Sequence, residues 1–523
     1  MRALSSSRGA LLLRFLLAAL LSTSTLTHAA PLTETIAPNH LVVVYRNAIP
    51  TNAEAQITAA GGHLTHRLDR FNMVALSTTA SDTQSKLSTQ PNVAAVLNDR
   101  YVTAHSIMVS VVRPLSVSVE PPGTLLPPSI LHPIPFPIIF LAPPTDTYYA
   151  SPQGWAVQQS GGFGDSIPTS PATTPNSGPW NTSRGAGVRI AILDSGVDQH
   201  HPDISPNLTF NLSEINQNPQ TGLPSACDDG SPQDQTGHGT WTASLATGAL
   251  GAGTGQVVGV APQATLLNIK VLQRMPGTGT TAIAACEAGQ AGGLLSWVLQ
   301  GIDDAVTNHA DVISLSLGTL VDITTGDGAG WKAQFDAVTY AAAQSGTIIV
   351  AAMGNDGLNL SPSGPNARYI ELPAQARSVL PVVASTNPAC AENLAANATC
   401  APGPITTPYY SNYGATGAIS APGGSYPEGP STGTSGFIMG ACSTGLTNTT
   451  EGLPSTGQSF GCFNLGHVQY VQAMGTSASA PLVAGAAAIL RAAHPTWTAT
   501  QIITTLQTTA APTLNLPASL TLN

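Results

Sequence analysis

Three short motifs in this sequence carry side chains that together could activate a hydroxyl for nucleophilic attack. Asp194 ends an apolar run, His238 stands between two glycines, and Ser477 opens an alanine-rich stretch. A serine hydroxyl is a poor nucleophile until a neighbouring base takes its proton, and histidine can do this near neutral pH. A carboxylate would fix the imidazole tautomer and stabilise the imidazolium. In this order, the three residues predict acyl transfer through a catalytic serine.

Each motif has a plainer interpretation when it is taken alone. An aspartate after a strand is usually a turn or capping residue, a single histidine is more often structural, and serine is a common helix N-cap. The glycines beside His238 let the backbone approach closely and leave the imidazole accessible. Pro481 fits only the first turn of a helix that begins near Ser477. The motifs gain their meaning from occurring together.

Short apolar runs separated by helical patterns follow from about residue 181 onward. This alternation predicts a three-layer α/β domain with a mostly parallel sheet and helices on both faces. Asp194 would then lie at the carboxyl end of a strand, where open α/β sheets build their sites. The predicted strands are Val188–Leu193, Leu266–Val271, Val312–Leu317, Ile348–Ala352 and Val379–Ala384.

Three segments precede this domain, which we place at 181–523. Residues 1–29 join basic residues to an apolar run that is too short to span a bilayer, as in a secretory signal peptide. Residues 30–104 show the order strand, helix, strand, helix, strand, which predicts a small α+β domain. Residues 105–180 are rich in Pro, Gly and Ser and suit a linker or an insertion, although Gly154–Val157 reads as the start of the next domain.

The composition favours an exported protein. Charged residues make up only 8% of the chain, far below the usual quarter, and the net charge of −10 is spread thinly. The absence of a basic cluster argues against a nucleic-acid partner, and we expect no membrane association after signal removal. Six cysteines favour disulfides in such a chain. Proximity along the sequence favours the pairs Cys390–Cys400 and Cys442–Cys462, which leaves Cys227–Cys286.

The order of the three motifs resembles the subtilisin family of serine peptidases. Gly259–Pro262 is similar to a turn of that family, and residues 41–104 resemble its inhibitory prosegment. The resemblance implies a secreted endopeptidase that cuts peptide bonds through an acyl-enzyme and is made as an autoprocessed zymogen. Its partners would be polypeptide substrates and its own prosegment, which would act as an intramolecular inhibitor. We expect a monomer that needs no cofactor for catalysis.

The same resemblance assigns the groups that would bind the substrate. The Asn355 amide and the Ser477 N–H would stabilise the oxyanion; the alternative is that Asn355 is a turn residue. Glu371 falls at or beside the floor of the primary pocket, where it would favour Lys or Arg in the substrate. In the alternative, Glu371 points to solvent and the pocket is broad and apolar. The resemblance assigns the pocket walls to Ser316, Leu317 and Gly318 on one side and to Ala352 and Gly354 on the other.

The chain also departs from the family's pattern. Trp241 and Ser244 stand where the family usually has His and Gly, so packing beside the histidine helix must differ. Asp203 matches a residue that helps to hold a structural calcium in many relatives. The second calcium-loop segment, Gly251–Gly255, lacks the expected asparagines, so a full ligand set is missing. Two other hypotheses stay open, namely an acid-active sedolisin-like peptidase, which would replace the histidine base with Glu, and a catalytically inactive binding protein of the same fold.

Overall fold

The structure is a computed structural model of the chain. It describes residues 35–105, 144–149, 154–160, 178–215, 225–251, 255–387, 405–425, 436–445, 469–511 and 513–521. All of these residues fall in one compact unit. The predicted signal peptide lies outside the described residues.

A parallel sheet forms the middle layer, as the sequence predicts. Its described strands run, in spatial order, β15 (Ile419–Pro422), β14 (Val379–Ser385), β12 (Ile348–Ala352), β10 (Val312–Leu315), β5 (Arg189–Asp194), β7 (Thr265–Lys270) and β6 (Leu208–Ser213). Every neighbouring pair is parallel. The two edge strands, β6 and β15, escape sequence analysis because β6 has no fully buried residue and β15 has only four residues.

Helices cover both faces of this sheet, because successive residues of its strands point to opposite sides. On β5, Ile190 and Ile192 belong to one core, whereas Ala191 and Leu193 belong to the other. The described helices are α1 (Ala53–Ala59), α2 (Thr83–Ser88), α3 (Trp155–Ser160), α4 (His238–Thr247), α5 (Ala282–Glu287), α6 (Leu295–Thr307), α7 (Gly326–Gln344), α8 (Thr476–Ala493), α9 (Ala499–Thr509) and α10 (Leu516–Thr521). Helices α4 and α8 lie on the first face, and α6 and α7 lie on the second.

Helix α8 is the one described helix that is long and apolar enough to cross a membrane by composition. Nearly all of its residues are buried between the sheet and its neighbouring helices. A helix that is apolar all round and enclosed in this way is the central helix of a globular core.

The N-terminal segment folds as an antiparallel sheet with two helices on its outer face. The strands are β1 (Ile36–Tyr45), β2 (Gly62–Leu68), β3 (Met73–Thr78) and β4 (Val93–Ala104), in the spatial order β4, β1, β3, β2. The sequence-based order lacked β2, which is an edge strand of mixed polarity. On β1, Val42 and Val44 face the second core of the large domain, while Leu41 and Val43 pack under α1 and α2.

Strand β4 extends beyond this small sheet into the large domain. There it pairs with β9 (Gln290–Leu294) on one side and β11 (Leu317–Asp322) on the other, antiparallel to both. Strand β8 (Leu272–Met275) flanks β9, and β13 (Tyr369–Leu372) flanks β11. A separate two-stranded antiparallel sheet consists of β16 (Ile438–Ala441) and β17 (Tyr470–Ala473). The end of β4 is therefore held as a middle strand between two strands of the other domain.

Part of the segment 105–180 belongs to the core of the large domain. Trp155 and Trp180 are buried there, and their indole N–H groups donate to the carbonyls of Phe437 at 3.1 Å and Val260 at 2.8 Å. The sequence predicted a linker or an insertion here, with Gly154–Val157 as the start of the next domain, and Trp155 lies in that predicted start. Residues 106–143 and 161–177 lie outside the described residues.

One predicted disulfide, Cys227–Cys286, is present in the structure and joins Cα atoms 5.2 Å apart. Cys442 is also disulfide-bonded. The other three cysteines lie outside the described residues, so the pairs Cys390–Cys400 and Cys442–Cys462 stay predictions.

Candidate active site

Asp194 and His238 meet at the carboxyl end of the parallel sheet. Asp194 is the last residue of β5, and its Oδ1 lies 2.7 Å from Nδ1 of His238, at the start of α4. The same oxygen accepts from the Ser195 backbone N–H at 2.7 Å, while Oδ2 accepts from the Thr242 hydroxyl at 3.3 Å. Both side chains are nearly completely buried. The carboxylate therefore holds the imidazole in one orientation.

A buried aspartate that sequence analysis did not identify shapes the loop before His238. Oδ1 of Asp234 accepts from the N–H groups of Thr236 and Gly237, and its Oδ2 accepts from the N–H and hydroxyl of Thr240. Burial raises the pKa of Asp234 despite these hydrogen bonds. The carboxylate caps the N-terminus of α4, which is a favourable position for it.

The glycines around the histidine are required by the geometry. Gly237 has φ of +90°, which is the left-handed region that glycine adopts without strain. A Cβ on Gly239 would stand 2.0 Å from the carbonyl oxygen of Gly196, so a side chain there would collide with the turn after Asp194. Both positions let the histidine helix start directly against the end of β5.

Ser477 is the second residue of α8, where the helix presents unsatisfied N–H groups. Its hydroxyl donates to the Ser316 carbonyl at 3.0 Å, and the Ser316 hydroxyl donates to the Ser477 carbonyl at 2.9 Å. Its backbone N–H donates to the carbonyl oxygen of His105 at 3.2 Å. A peptide carbonyl is thus bound at the positive end of the helix.

Asn355 lies beside this helix start. Its Oδ1 accepts from the N–H of Thr476 at 3.0 Å and from the hydroxyl of the same residue at 3.1 Å. The Thr476 hydroxyl also accepts from the Gly354 N–H at 3.1 Å. Because these bonds fix the amide oxygen, the donor nitrogen of Asn355 is turned away from Thr476.

Two of the predicted pocket residues, Gly318 and Gly354, lie beside a buried carboxylate. Glu371, on β13, is fully buried, and a Cβ on Gly318 would stand 2.2 Å from its Oε1. A Cβ on Gly354, across the pocket, would stand 3.3 Å from its Oε2. Ser316 and Leu317 directly precede Gly318, and Ala352 ends β12 two residues before Gly354.

His105 fills this pocket, and sequence analysis did not identify it. Its Nε2 lies 2.9 Å from Oε1 of Glu371, and both side chains are buried. Burial raises the pKa of Glu371 to about 7, an effect that the His105 charge opposes and the nearby Asp356 charge strengthens. The one feature of the sequence that could have drawn attention to His105 is its position, directly after an apolar strand and before the proline-rich stretch.

The two residues that depart from the family's pattern, Trp241 and Ser244, are both buried and hydrogen-bonded. Trp241 is buried beside the catalytic histidine candidate, with ring centroids 5.9 Å apart, and its indole N–H donates to the Ile438 carbonyl. Ser244, the other departure, donates to the Trp241 carbonyl and accepts from the Ala441 N–H. These hydrogen bonds connect β16 to α4.

Asp203, which the resemblance relates to a calcium ligand, hydrogen-bonds main-chain N–H groups through one of its oxygens. Its Oδ2 accepts from the N–H groups of Gln256 at 3.2 Å and Val257 at 3.4 Å. Across the described part of the chain, no group of three or more His, Cys, Asp or Glu is arranged to hold a metal.

The comparisons with known proteins establish the family of the chain. The sequence profile of the subtilase family matches residues 185–521, which is more than half of the chain. Subtilisin NAT of Bacillus subtilis subsp. natto is 29% identical over 326 residues, which are 62% of this chain and 61% of that protein. Thermitase of Thermoactinomyces vulgaris is 34% identical over 187 residues, or 36% of this chain and 53% of thermitase. The matches thus span less than two thirds of these relatives.

Solved structures share the fold. Fervidolysin from Fervidobacterium pennivorans has a TM-score of 0.57 at 18% identity, over 93% of this chain and 61% of its own. The epidermin leader peptide processing serine protease of Staphylococcus aureus has a TM-score of 0.57 at 15% identity, over 94% of this chain and all of its own. At these identities the likeness concerns the fold, and the family follows from the sequence profile. The chain therefore belongs to the subtilase family.

Proposed function

We propose that this chain is a serine endopeptidase in which Asp194, His238 and Ser477 form the catalytic triad. The observation that carries the proposal is the hydrogen bond from the Ser477 N–H to a peptide carbonyl, that of His105, at 3.2 Å. A carbonyl polarised by a helix N-terminus beside a serine is the arrangement that acyl transfer needs.

Each residue then has a defined part in the reaction. The Ser477 hydroxyl attacks the carbonyl carbon, and His238 takes its proton and passes it to the leaving amine. Asp194 holds the imidazole and stabilises its charged form. The Ser477 N–H and the Asn355 amide nitrogen stabilise the oxyanion, and water then hydrolyses the ester.

The substrates proposed are polypeptides bound in an extended conformation. The end of β4 pairs with β9 through Val102 and with β11 through Ala104, antiparallel on both sides. Main-chain pairing of this kind accepts many sequences, since the hydrogen bonds come from the backbone. The side-chain pocket at Glu371 would then add selectivity.

We further propose that the segment 30–104 is an inhibitory prosegment and that the chain is made as a zymogen. Its contact with the large domain includes an ion pair of Arg70 with Asp303 at 2.5 Å. The Asn98 amide donates to Asp327 at 2.6 Å, and the Asn98 carbonyl accepts from the indole of Trp331 at 2.8 Å. These contacts hold β4 across the site, where it excludes other substrates.

The proposal also covers the limits of the peptidase domain, its secretion and its oligomeric state. The peptidase domain would start near residue 144, earlier than 181, because Tyr149, Trp155 and Trp180 belong to its core. Residues 1–29 would direct secretion, as basic residues before a short apolar run do. We propose a monomer, since the described residues expose few large apolar side chains.

The two alternative functions are not favoured. A sedolisin-like enzyme would need a glutamate base, whereas His238 holds that position against Asp194. A binding protein without activity would have no need for the Asp194–His238 contact and the fixed Asn355 oxygen together.

The deciding experiment is labelling of the secreted protein by a fluorophosphonate probe, which reacts with an activated serine. We expect labelling of wild type and of Asp336→Asn, a partly exposed control on α7, and none of Ser477→Ala. Ser477→Ala should also keep its prosegment in a protease-free host. Normal processing of that variant would refute self-cleavage, and absence of labelling in wild type would refute the enzyme.

The prosegment is tested by adding the 30–104 segment to the processed enzyme at micromolar concentration. We expect this segment to inhibit the enzyme. The inhibition should disappear when the segment is truncated before Tyr101. Undiminished hydrolysis at that concentration would refute the inhibitor.

A further inference from the structure

His105 is bound to the site as the residue before a cut would be. Its N–H donates to the Ser316 carbonyl at 3.1 Å, and its carbonyl accepts from the Ser477 N–H at 3.2 Å. Just before it, Thr103 pairs with Gly318 on β11 and with Gly292 on β9. The carbonyl carbon next to the serine is therefore that of His105, and its amide bond leads to Ser106.

The side chain of His105 enters a pocket whose only acid in direct contact with it, among the described residues, is Glu371. Nε2 of the imidazole and Oε1 of the carboxylate lie 2.9 Å apart, and exposure falls to 9% for His105 and to zero for Glu371. A Cβ on Gly354 would stand 3.3 Å from Oε2 of Glu371 and 3.4 Å from Oδ2 of Asp356, which is an exposed carboxylate. The buried carboxylate beside the imidazole suits the pocket to a side chain that places an N–H donor at this point.

Glu371 is held in place by its own strand. Its backbone N–H donates to Oε1 of Gln375 at 2.9 Å, and β13 pairs Glu371 with Leu320 on β11. These contacts fix the backbone of Glu371. Gln375 is anchored in turn through its amide, which donates to the Leu360 carbonyl at 3.2 Å. The carboxylate is therefore presented at a fixed depth.

The depth of the Glu371 carboxylate in the pocket matches the length of a histidine side chain. A Cβ on Gly318 would stand within 2.5 Å of both Oε1 of Glu371 and Nε2 of His105, so the acid lies level with the pocket wall. The ammonium of lysine and the guanidinium of arginine extend further from the main chain than an imidazole Nε2, and would have to fold back to meet it. An apolar side chain would leave the buried carboxylate without a partner, which is unfavourable.

We propose, on the basis of the function proposed above, that the chain cuts itself between His105 and Ser106 and that Glu371 makes the primary pocket selective for histidine. This differs from a preference for Lys or Arg, which a carboxylate at the pocket floor would give.

The reaction is an ordinary hydrolysis. The Ser477 oxygen bonds to the carbonyl carbon of His105 while the bond to the Ser106 nitrogen breaks. The serine proton passes through His238 to that nitrogen, which becomes the new N-terminus. Water then cleaves the ester and leaves a carboxylate on His105.

The first test is the N-terminus of the protein that the purified zymogen releases when it processes itself. We expect Ser106 as the first residue in the earliest product, and processing at least tenfold slower for His105→Leu. Ser477→Ala carrying His105→Leu checks that the variant still folds. An earliest product cut after a residue other than His105, or unchanged processing of His105→Leu, would overturn the proposal.

The second test uses peptides that differ only at the residue before the cut, with His, Lys, Arg, Gln, Leu or Phe there. For the processed enzyme we expect kcat/KM at pH 7.5 to be at least tenfold higher for His than for any other. Glu371→Gln should remove this advantage, so that the variant cuts the His and Gln peptides with similar kcat/KM. Glu287→Gln, an exposed glutamate outside the pocket, should keep it.

These outcomes separate the two proposals. An enzyme that reacts with fluorophosphonate and cuts peptides, yet prefers Leu or Phe with and without Glu371, is a serine peptidase without the histidine pocket. A preference for Lys or Arg over His would likewise overturn the depth argument. A protein that neither reacts nor cuts would refute both.

Discussion

Nδ1 of His238 lies 2.7 Å from Oδ1 of Asp194, and the pair is almost completely buried. An ionised carboxylate can only accept, so Nδ1 carries the proton and Nε2 is the basic nitrogen. In Asp194→Asn the amide can donate to Nδ1, which favours the wrong tautomer. We expect kcat to fall by about 10⁴-fold with KM changed little.

Peptide hydrolysis measured by single-turnover and steady-state kinetics checks this. Asp336→Asn, outside the site, should keep the wild-type rate. A loss of less than tenfold in Asp194→Asn would mean that the contact does not orient the catalytic base.

Asn355 offers a prediction that separates donation from positioning. In Asn355→Asp the Oδ1 contacts with Thr476 can be kept, but the amide donor is lost and a charge is placed beside the oxyanion. We expect kcat to fall by at least about 10²–10³-fold for both Asn355→Ala and Asn355→Asp. If Asn355→Asp retained full kcat, the residue would serve only to hold Thr476.

A buried ion pair stabilises the strand next to β5. Lys270 Nζ lies 2.8 and 3.0 Å from the two oxygens of Asp228 and donates to the Gln233 carbonyl at 2.9 Å. Lys270→Met would leave a buried carboxylate without its cation, so we expect unfolding to become easier by about 3–5 kcal/mol. Urea unfolding in a Ser477→Ala background, which prevents self-digestion, measures the change.

The double variant Lys270→Met with Asp228→Asn is the matched control for that pair. It removes both charges of the pair together and should recover part of the lost stability. Equal stabilities of the single variant and wild type would show that the pair contributes nothing.

The Cys227–Cys286 bond closes a long segment, with a sequence separation of 59 residues. On a chain-entropy basis, a loop of this size contributes up to about 4 kcal/mol by restricting the unfolded chain. The double variant Cys227→Ser with Cys286→Ser should unfold at lower temperature than its parent, both in the Ser477→Ala background. Identical melting temperatures would contradict the prediction.

The sequence predicted the buried strands of the parallel sheet better than the strands at sheet edges. Buried strands such as Ile348–Ala352 are continuous apolar runs, and that pattern is typical of a parallel sheet covered on both faces. The strand Gly62–Leu68 could not be found in the same way. It carries two histidines and an arginine, and it is held at the sheet edge by pairing with β3.

His105, which occupies the pocket, could not be predicted from the sequence for a different reason. Glu371 was assigned to the pocket floor by a resemblance that lies within one short segment of the sequence. Its contact with His105 joins residues 266 positions apart, and only the insertion of β4 between β9 and β11 brings them together. Long-range strand pairing leaves no signature in either segment alone.

The last prediction concerns the pH dependence of the preference for histidine. Burial raises the pKa of Glu371 to about 7, with the Asp356 charge acting in the same sense and the His105 charge in the opposite sense. A raised carboxyl pKa means that the group is protonated below about pH 7 and ionised above it. The acceptor that attracts an imidazole is therefore lost on acidification.

We expect the ratio of kcat/KM for the His peptide to that for the Gln peptide to rise with pH through about 7. The Gln side chain stays neutral and can pair with either form of the carboxyl group, so it cancels effects of the triad's own titration. Because an imidazole N–H still donates to a carboxylate when the ring is neutral, the ratio should stay high on the alkaline side. In Glu371→Gln the ratio should be flat, and a ratio in wild type that rises as the pH falls would show that this carboxylate does not select the histidine.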